Sequence, residues 1–96
     1  MLIDKGVTAG EVVTIKLTSG EEIVAKLVEE TATHYKLNRP MVIGMGPNGP
    51  GLMPYLFTVH PEKEIKLSKI TVVLVEATDK NFADQFIQST TGIKLV

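Results

Sequence analysis

The stretch from Val12 to Glu30 limits the possible folds more than any other part of the chain, because it alternates apolar and polar residues around a short polar break. The apolar positions are Val13, Ile15 and Leu17 before Thr18-Ser19-Gly20, and Ile23, Ala25 and Leu27 after it. A period of two places each apolar set on one face of a strand. We therefore predict a half-buried antiparallel β-hairpin, whose tight turn uses the positive φ that Gly20 tolerates.

Three further strands are predicted after this hairpin, which runs from Val12 to Leu17 and from Glu22 to Glu29. The third covers His34 to Ile43 and bends or bulges at Pro40, because proline cannot donate to a sheet ladder. The glycine- and proline-rich stretch 44–51 suits a loop. The fourth strand then runs from Leu52 to His60. The fifth runs from Ile65 to about Glu76, with an apolar segment from Ile70 to Val75 that is typical of a strand covered on both faces.

After the fifth strand the apolar spacing becomes helical. Phe82, Phe86 and Ile87 predict a short helix over residues 79–91, with Thr78 or Asp79 as N-cap and Gly92 as a C′ residue. We expect this helix to pack near one end of a barrel. The remaining segment, Ile93 to Val96, is a brief apolar tail that suits addition to a sheet edge, in this chain or in another.

Composition favours one domain spanning residues 1–96. The chain has 44% hydrophobic residues and no cysteine, so we expect a packed core without disulfides or thiolate metal sites. The sequence lacks a secretion signal and a run long enough to cross a bilayer, so we expect a cytoplasmic protein that does not enter the membrane. The formal net charge of -1 predicts weak general affinity for nucleic acid, although a local basic site is compatible with it.

Five short, bent antiparallel strands favour a small SH3-like or Sm-like barrel with a C-terminal helix over an immunoglobulin-type sandwich. The segment Val13–Leu27 resembles the first Sm motif, in which an apolar strand, a polar turn with glycine and a second apolar strand follow one another. The segment Lys66–Val73 is similar to the second motif. It resembles most the bacterial Hfq branch, where Lys-His-Ala-Ile-Ser-Thr-Val-Val occupies this strand. A compact relative of this kind is also compatible with a bacteriophage as the source.

This resemblance implies a homo-oligomeric ring of about five to seven subunits, in which strand four of one protomer pairs with strand five of the next. Edge strands that need covering favour such closure independently, although the C-terminal helix is an alternative cover. The resemblance also places Lys66 at a basic position that faces the pore and phosphate. Lys69 is a weaker candidate, since a lysine there is more often a surface charge.

Further candidates lie along strand three. His34 and Tyr35 follow the loop at which the family stacks a base, and a flat ring can stack on any nucleobase. Tyr35 alternates with Leu37, however, which is typical of a core side chain. Asn38 and Arg39 suit hydrogen bonds to a base or phosphate, and they suit a turn before Pro40 equally well. The Leu67 side chain departs from the family, which has histidine or glycine at this position.

The sequence offers no support for an enzyme. Its two histidines, His34 and His60, have no carboxylate at ligand spacing, and the glycines at 44–51 precede a strand, whereas a phosphate cradle precedes a helix. We therefore predict a non-catalytic protein without metal or cofactor that binds single-stranded RNA as an Sm-like ring in RNA processing, stability or regulation. The alternative is a structural or protein-interaction barrel that assembles through its strand edges without binding nucleic acid.

Overall fold

A computed structural model of the chain describes residues 6–91, and within them six β-strands form one antiparallel sheet that is followed by a short helix. The strands are β1 (Val12–Leu17), β2 (Glu22–Glu30), β3 (His34–Gly46), β4 (Gly49–Pro54), β5 (Glu64–Ser68) and β6 (Val72–Ala77), and the helix is α1 (Lys80–Thr91). Their order in the sheet is β4-β3-β2-β1-β6, and β5 pairs with β3. The described pairings do not close the sheet, and there are six strands where the sequence predicted five.

The predicted hairpin is confirmed as β1 and β2. The Gly20 N–H donates to the Leu17 carbonyl at 2.9 Å, and the Leu17 N–H donates to the Glu21 carbonyl at 2.9 Å. Gly20 has a φ of 95°, which a residue with a Cβ adopts only with strain. The turn therefore depends on this glycine, as the sequence indicated.

The hydrophobic core lies on one face of this hairpin and continues onto β3. Its fully buried members are the apolar residues that alternate along the first two strands, joined by one leucine: Val13, Ile15, Leu17, Ile23, Ala25, Leu27 and Leu37. Burying one such valine, leucine or isoleucine side chain contributes about 1.5–3 kcal/mol relative to leaving it in water. Half-buried side chains from the later strands, including Leu67, Val72 and Val75, pack against this cluster.

Strand β3 changes partners at Arg39 and Pro40. The register with β2 shifts between Val24 and Lys26, and Arg39 is the one non-glycine residue with positive φ in the described chain, at 54°. Before this bulge β3 pairs with β5, and after it β3 pairs with β4. The predicted disturbance at Pro40 is confirmed, and it lets one long strand bind two strands in succession along the same side.

The predicted loop at 44–51 is wrong, because this stretch is part of a second hairpin. Strand β3 continues to Gly46, and β4 begins at Gly49 after a turn at Pro47 and Asn48. Pro47 suits the second position of a turn, and Gly49 supplies a φ of 102°. The predicted strand from Leu52 to His60 is correspondingly displaced: β4 ends at Pro54, and residues 55–63 contain no strand.

The predicted fifth strand is two strands separated by a 3-10 turn at Lys69–Thr71. This turn redirects the chain, so that β5 pairs with β3 while β6 pairs with β1. The apolar segment is covered on one face only, since Val72 and Val75 pack on the core while Ile70 and Val73 are 88% and 60% exposed. The sequence prediction of a strand covered on both faces is wrong for the isolated chain.

Helix α1 confirms the predicted helix. It lies over the outer face of the sheet, however, and not at one end of a barrel as predicted. Phe86 is 2% exposed, and it lines one cavity with Val12 and Lys26, whose side chains are on the face opposite the core. Phe82 lies beside Val24 of the same outer face. The proposed C′ residue Gly92 and the tail Ile93–Val96 fall outside the described residues. Within residues 6–91 the structure contains no helix of the length and apolarity needed to cross a membrane.

The three edges of the sheet differ in their backbone hydrogen-bonding groups. The Tyr55 N–H donates to the Pro40 carbonyl at 3.0 Å, so alternation turns the nitrogens of Pro50, Leu52 and Pro54 away from β3. Because proline has no N–H, the free edge of β4 keeps a single backbone donor, at Leu52. Edges blunted in this way resist pairing with another strand.

The free edges of β5 and β6 contain no proline. The Lys69 N–H donates to the Thr33 carbonyl and the Thr78 N–H to the Val12 carbonyl, at 2.9 and 3.1 Å. By alternation, the outward backbone groups belong to Glu64, Lys66 and Ser68 on β5, and to Val73, Val75 and Ala77 on β6. Neither of these edges has a strand partner among residues 6–91.

Candidate nucleic-acid interface

The loop between β2 and β3 meets the 3-10 turn between β5 and β6. The Lys69 N–H donates to the Thr33 carbonyl at 2.9 Å, which fixes the backbone of the turn against the backbone of the loop. Thr31 stabilises the loop itself, because its Oγ1 accepts from the His34 N–H at 3.0 Å. Two segments that are more than thirty residues apart in sequence therefore form one rigid corner of the sheet.

Two lysines lie side by side next to this corner. Lys36 of β3 is paired with Lys66 of β5 on the outer face, in the closely spaced type of antiparallel pair, since the neighbouring residues make the ladder hydrogen bonds. The Lys36 ammonium lies 3.6 Å from the Glu29 carboxylate and 3.8 Å from that of Glu64. Among residues 6–91, Lys66 has neither a carboxylate nor a hydrogen-bond partner for its ammonium group. Lys66 is therefore the uncompensated cation of the pair.

A cavity of about 290 Å³ joins these lysines to the loop. It is lined by Glu29, Thr31, Thr33, His34, Lys36 and Lys66. The His34 Nδ1 is 2.7 Å from the Thr33 hydroxyl, and this hydrogen bond orients the imidazole ring. Among residues 6–91 the ring's Nε2 has no hydrogen-bond partner. Hydroxyl, imidazole and ammonium groups around one small space are suited to binding a phosphate or a polar base edge.

The other two candidates at this corner are already engaged with each other. The Lys69 ammonium lies 2.6 Å from the Glu30 carboxylate and 5.0 Å from the centre of the Tyr35 ring. Tyr35 also packs against the core. The contact between Lys69 and Tyr35 is a cation–π interaction. A single-stranded nucleic acid could bind these side chains only if that contact were broken. The geometry gives Lys69 and Tyr35 a structural role that the sequence had already favoured for the tyrosine.

Asn38 and Arg39 lie at the far end of the β3–β5 pairing, away from the cavity. The Asn38 amide donates to the Glu62 carbonyl at 3.4 Å, and Arg39 lies 3.5 Å from the Glu62 carboxylate. Both therefore hold the segment before β5 against the bulge in β3. Of the five predicted site residues, Lys66 and His34 share the cavity, and Asn38 is not part of it.

A second concave region, which we call the apolar groove, lies beside the base of the β3–β4 hairpin. Its volume is about 330 Å³, and its walls include Met41, Pro54, Leu56, Phe57, Val59 and Ile65. Arg39, His60 and Lys63 form part of its rim. Phe57 is 77% exposed even though it lines the groove. This region was not predicted, although the uncharged stretch from Pro40 to Val59 contributes most of its apolar residues.

Besides the pairing of β2 with β3, a side-chain contact between Tyr55 and Glu21 joins the two hairpins. Burial raises the pKa of the Tyr55 phenol above its ordinary value of 10.0, and the negative charge of Glu21 and a hydrogen bond to its carboxylate raise it further. Glu21 belongs to the turn region of the first hairpin, and Tyr55 follows the second. The neutral phenol is therefore the form that the fold stabilises.

Lys36, Thr31 and Thr33 line the cavity but were not predicted as site residues. The signal was present in part, because Lys36 is two residues from His34 and so lies on the same face of the strand. The pairing of Lys36 with Lys66 depends on the register of β3 and β5, which the sequence does not encode locally. In residues 6–91 no group of three or more histidine, aspartate or glutamate side chains is placed to hold a metal ion.

Compared with known proteins, the chain matches no family model and no curated protein. The resemblance to the Sm-like family therefore remains a prediction from the two sequence motifs.

Proposed function

We propose that this chain is a non-catalytic, cytoplasmic, single-stranded RNA-binding protein that acts as an Sm-like barrel assembled into a homo-oligomeric ring. The observation that carries the proposal is the corner at which the β2–β3 loop meets the turn after β5. Lys66, with its uncompensated charge, shares a cavity there with His34 and two threonines. A role in RNA processing, stability or regulation follows from family analogy alone.

The strand edges support assembly into a ring. Strand β5 and strand β6 each present three residues with unpaired outward backbone groups, whereas the edge of β4 is blunted by Pro50 and Pro54. We therefore assign the contact to β5 of one copy and β6 of the next. Strand β4, which shares residues 52–54 with the predicted fourth strand, is excluded from this contact. A head-to-tail contact between two different edges closes into a ring when its rotation allows.

A ring also gives the cavity an effective charge that one chain lacks. The formal net charge of the chain is -1, and Glu29 and Glu64 offset Lys36 within the site. In a ring, Lys66 is repeated around the symmetry axis, so several ammonium groups lie within reach of one RNA strand. Their electrostatic attraction for its phosphates adds up. Binding of this kind weakens as salt rises.

Light scattering tests assembly, and fluorescence anisotropy tests binding. We expect a mass about five to seven times that of the 10.5 kDa chain. We also expect labelled uridine-rich or adenosine-rich RNA to bind tightly at low salt and at least about tenfold more weakly in Lys66→Glu, with mass and melting unchanged. Lys26→Glu is the matched control, because Lys26 is an exposed lysine on β2 away from the cavity. A parent protein that binds no single-stranded RNA would contradict the proposal.

The second candidate is a protein-interaction module, and one observation favours it. Exposed large apolar side chains are numerous for so small a chain: Met45, Met53, Phe57, Ile70, Val73, Leu74 and Ile87. Such side chains commonly mark protein interfaces. Assembly or partner binding without any affinity for RNA would favour this candidate over the first.

A further inference from the structure

The apolar groove adjoins a stretch of chain without any charge. From Pro40 to Val59 there is no lysine, arginine, aspartate or glutamate. This stretch supplies most of the apolar lining of the groove and all the residues through which β3 pairs with β4. The nearest cations are Arg39 and Lys63 on the rim. Arg39 lies 3.5 Å from the Glu62 carboxylate, whereas the Lys63 ammonium has no ionic partner among residues 6–91. An occupant of the groove is thus expected to be apolar and to carry an acidic group near Lys63.

The topology of the sheet indicates where a neighbouring copy would meet this groove. Strands β5 and β4 follow one another along the same side of β3, with β5 opposite His34–Asn38 and β4 opposite Met41–Gly46. Every described strand pair is antiparallel. If β6 of a second copy adds antiparallel to β5, its start lies near Ser68 and its end near Glu64. The residues that follow β6 then lie beside the segment 55–63 and the groove.

The residues at the end of β6 carry negative charge, which complements the positive charge of Lys63 on the rim of the groove. Glu76 and Asp79 are exposed, and neither forms an ion pair within the described part of the chain. Asp79 accepts a hydrogen bond from the Asn81 N–H at 3.2 Å, which stabilises the first turn of α1. Its other carboxylate oxygen has no hydrogen-bond partner among residues 6–91 and is available for a cation.

We propose that the apolar groove is a docking surface for a second copy of this chain, which inserts the corner between its β6 and α1. Phe57 covers Ala77, the exposed apolar residue of that corner, and Lys63 pairs with Asp79 of the second copy. This inference rests on the proposed ring, and it adds to the strand pairing a contact made by side chains. The β3–β4 hairpin thereby serves assembly instead of RNA binding.

Sedimentation velocity over a range of protein concentrations tests the inference. Phe57→Ser should weaken association at least about tenfold, because exposed aromatic side chains at an interface contribute most of its energy. At protein concentrations too low for association, its melting temperature should match that of the parent, since Phe57 packs little within the chain. Lys26→Gln is a control that removes a lysine distant from both edges.

A double-mutant cycle tests the charge contact. Lys63→Gln and Asp79→Asn should each weaken association about three- to fivefold, and the double variant should be no weaker than either single one. Asparagine preserves the cap of α1, so the helix remains intact.

The outcomes separate this inference from the function on which it rests. An oligomeric parent whose mass does not respond to Phe57→Ser overturns the groove contact and leaves the ring standing. A monomeric parent overturns both. Additive effects in the double variant refute the Lys63–Asp79 contact, and RNA affinity measured on the same samples tests Lys66 independently.

Discussion

The two hairpins of this molecule use similar turns but have different surroundings. Both turns place a glycine at positive φ, with values of 95° at Gly20 and 102° at Gly49. The β1–β2 hairpin is buried on its inner face by the core, and α1 covers its outer face through Phe86. The β3–β4 hairpin exposes Met45 and Met53 instead. Turn chemistry thus sets the shape of a hairpin, while burial decides whether that hairpin stabilises the fold.

The largest expected effect comes from removing the cover of the first hairpin. Phe86→Asp places a charge at a position that is 2% exposed, which should destabilise the docked helix by about 4 kcal/mol or more. Thermal melting followed by circular dichroism measures this loss. A variant that melts like the parent would mean that α1 contributes nothing to the stability of the sheet.

A paired truncation compares the hairpins directly. Ile15→Ala removes fully buried methyl and methylene groups from β1 and should lower the free energy of unfolding by about 3–4 kcal/mol. Met45→Ala removes a side chain of similar size that is 81% exposed, and should change it by less than about 0.5 kcal/mol. Urea titrations of both variants give the two values. Equal losses would show that the second hairpin packs in solution, for example against another copy.

The two turns offer a smaller contrast. Gly20→Ala forces a side chain into a left-handed conformation within the stable hairpin and should cost about 1–2 kcal/mol of global stability. Gly49→Ala introduces the same strain, but the second hairpin can open locally without unfolding the rest of the sheet. The free energy of global unfolding should therefore fall less than in Gly20→Ala. Native-state hydrogen exchange would locate the Gly49→Ala effect in β4 if this explanation holds. Protection lost throughout the sheet would contradict it.

The smallest effect concerns the link between the hairpins. The fold raises the pKa of Tyr55, so the folded state retains its proton at pH values where the unfolded chain has begun to lose it. Stability from this contact is therefore complete below pH 10.0 and declines as pH rises through the folded-state pKa. Urea midpoints at about pH 9 and about pH 11 should differ less in Tyr55→Phe than in the parent. An identical pH response in both proteins would show that the Tyr55–Glu21 contact is unimportant.

The parts of the fold with regular patterns were predictable. Alternation at Val13, Ile15 and Leu17 predicted β1 with its observed bounds, and the spacing of Phe82 and Phe86 predicted α1 within one residue at its start. Prolines caused the main errors. Pro47 and Pro50 indicated a loop. Pro47 fits the tight turn of a hairpin, however, and Pro50 fits an edge strand because its nitrogen faces away from β3.

Tertiary relationships explain the remaining differences between prediction and structure. An uninterrupted β pattern from Ile65 to Glu76 does not reveal that a 3-10 turn at Lys69 sends the two halves to different partners. Likewise His34 and Lys66 were recognised separately, but only the register of β3 with β5 places Lys36 beside them. Local propensity identifies strands, whereas pairing depends on which distant segments meet.

The hydrogen bond between the hydroxyls of Thr14 and Thr78, at 2.8 Å, joins residues 64 positions apart. It lies where β6, the last strand, pairs with β1, the first. One edge of β1 therefore has no strand partner until β6 has joined the sheet. Contacts of such long sequence separation slow folding, because a large loop must close before they form. The first hairpin can therefore form early, because its two strands are adjacent in sequence, whereas the pairing of β6 with β1 must wait for this large loop to close. The order of the strands therefore makes completion of the sheet a late step in folding.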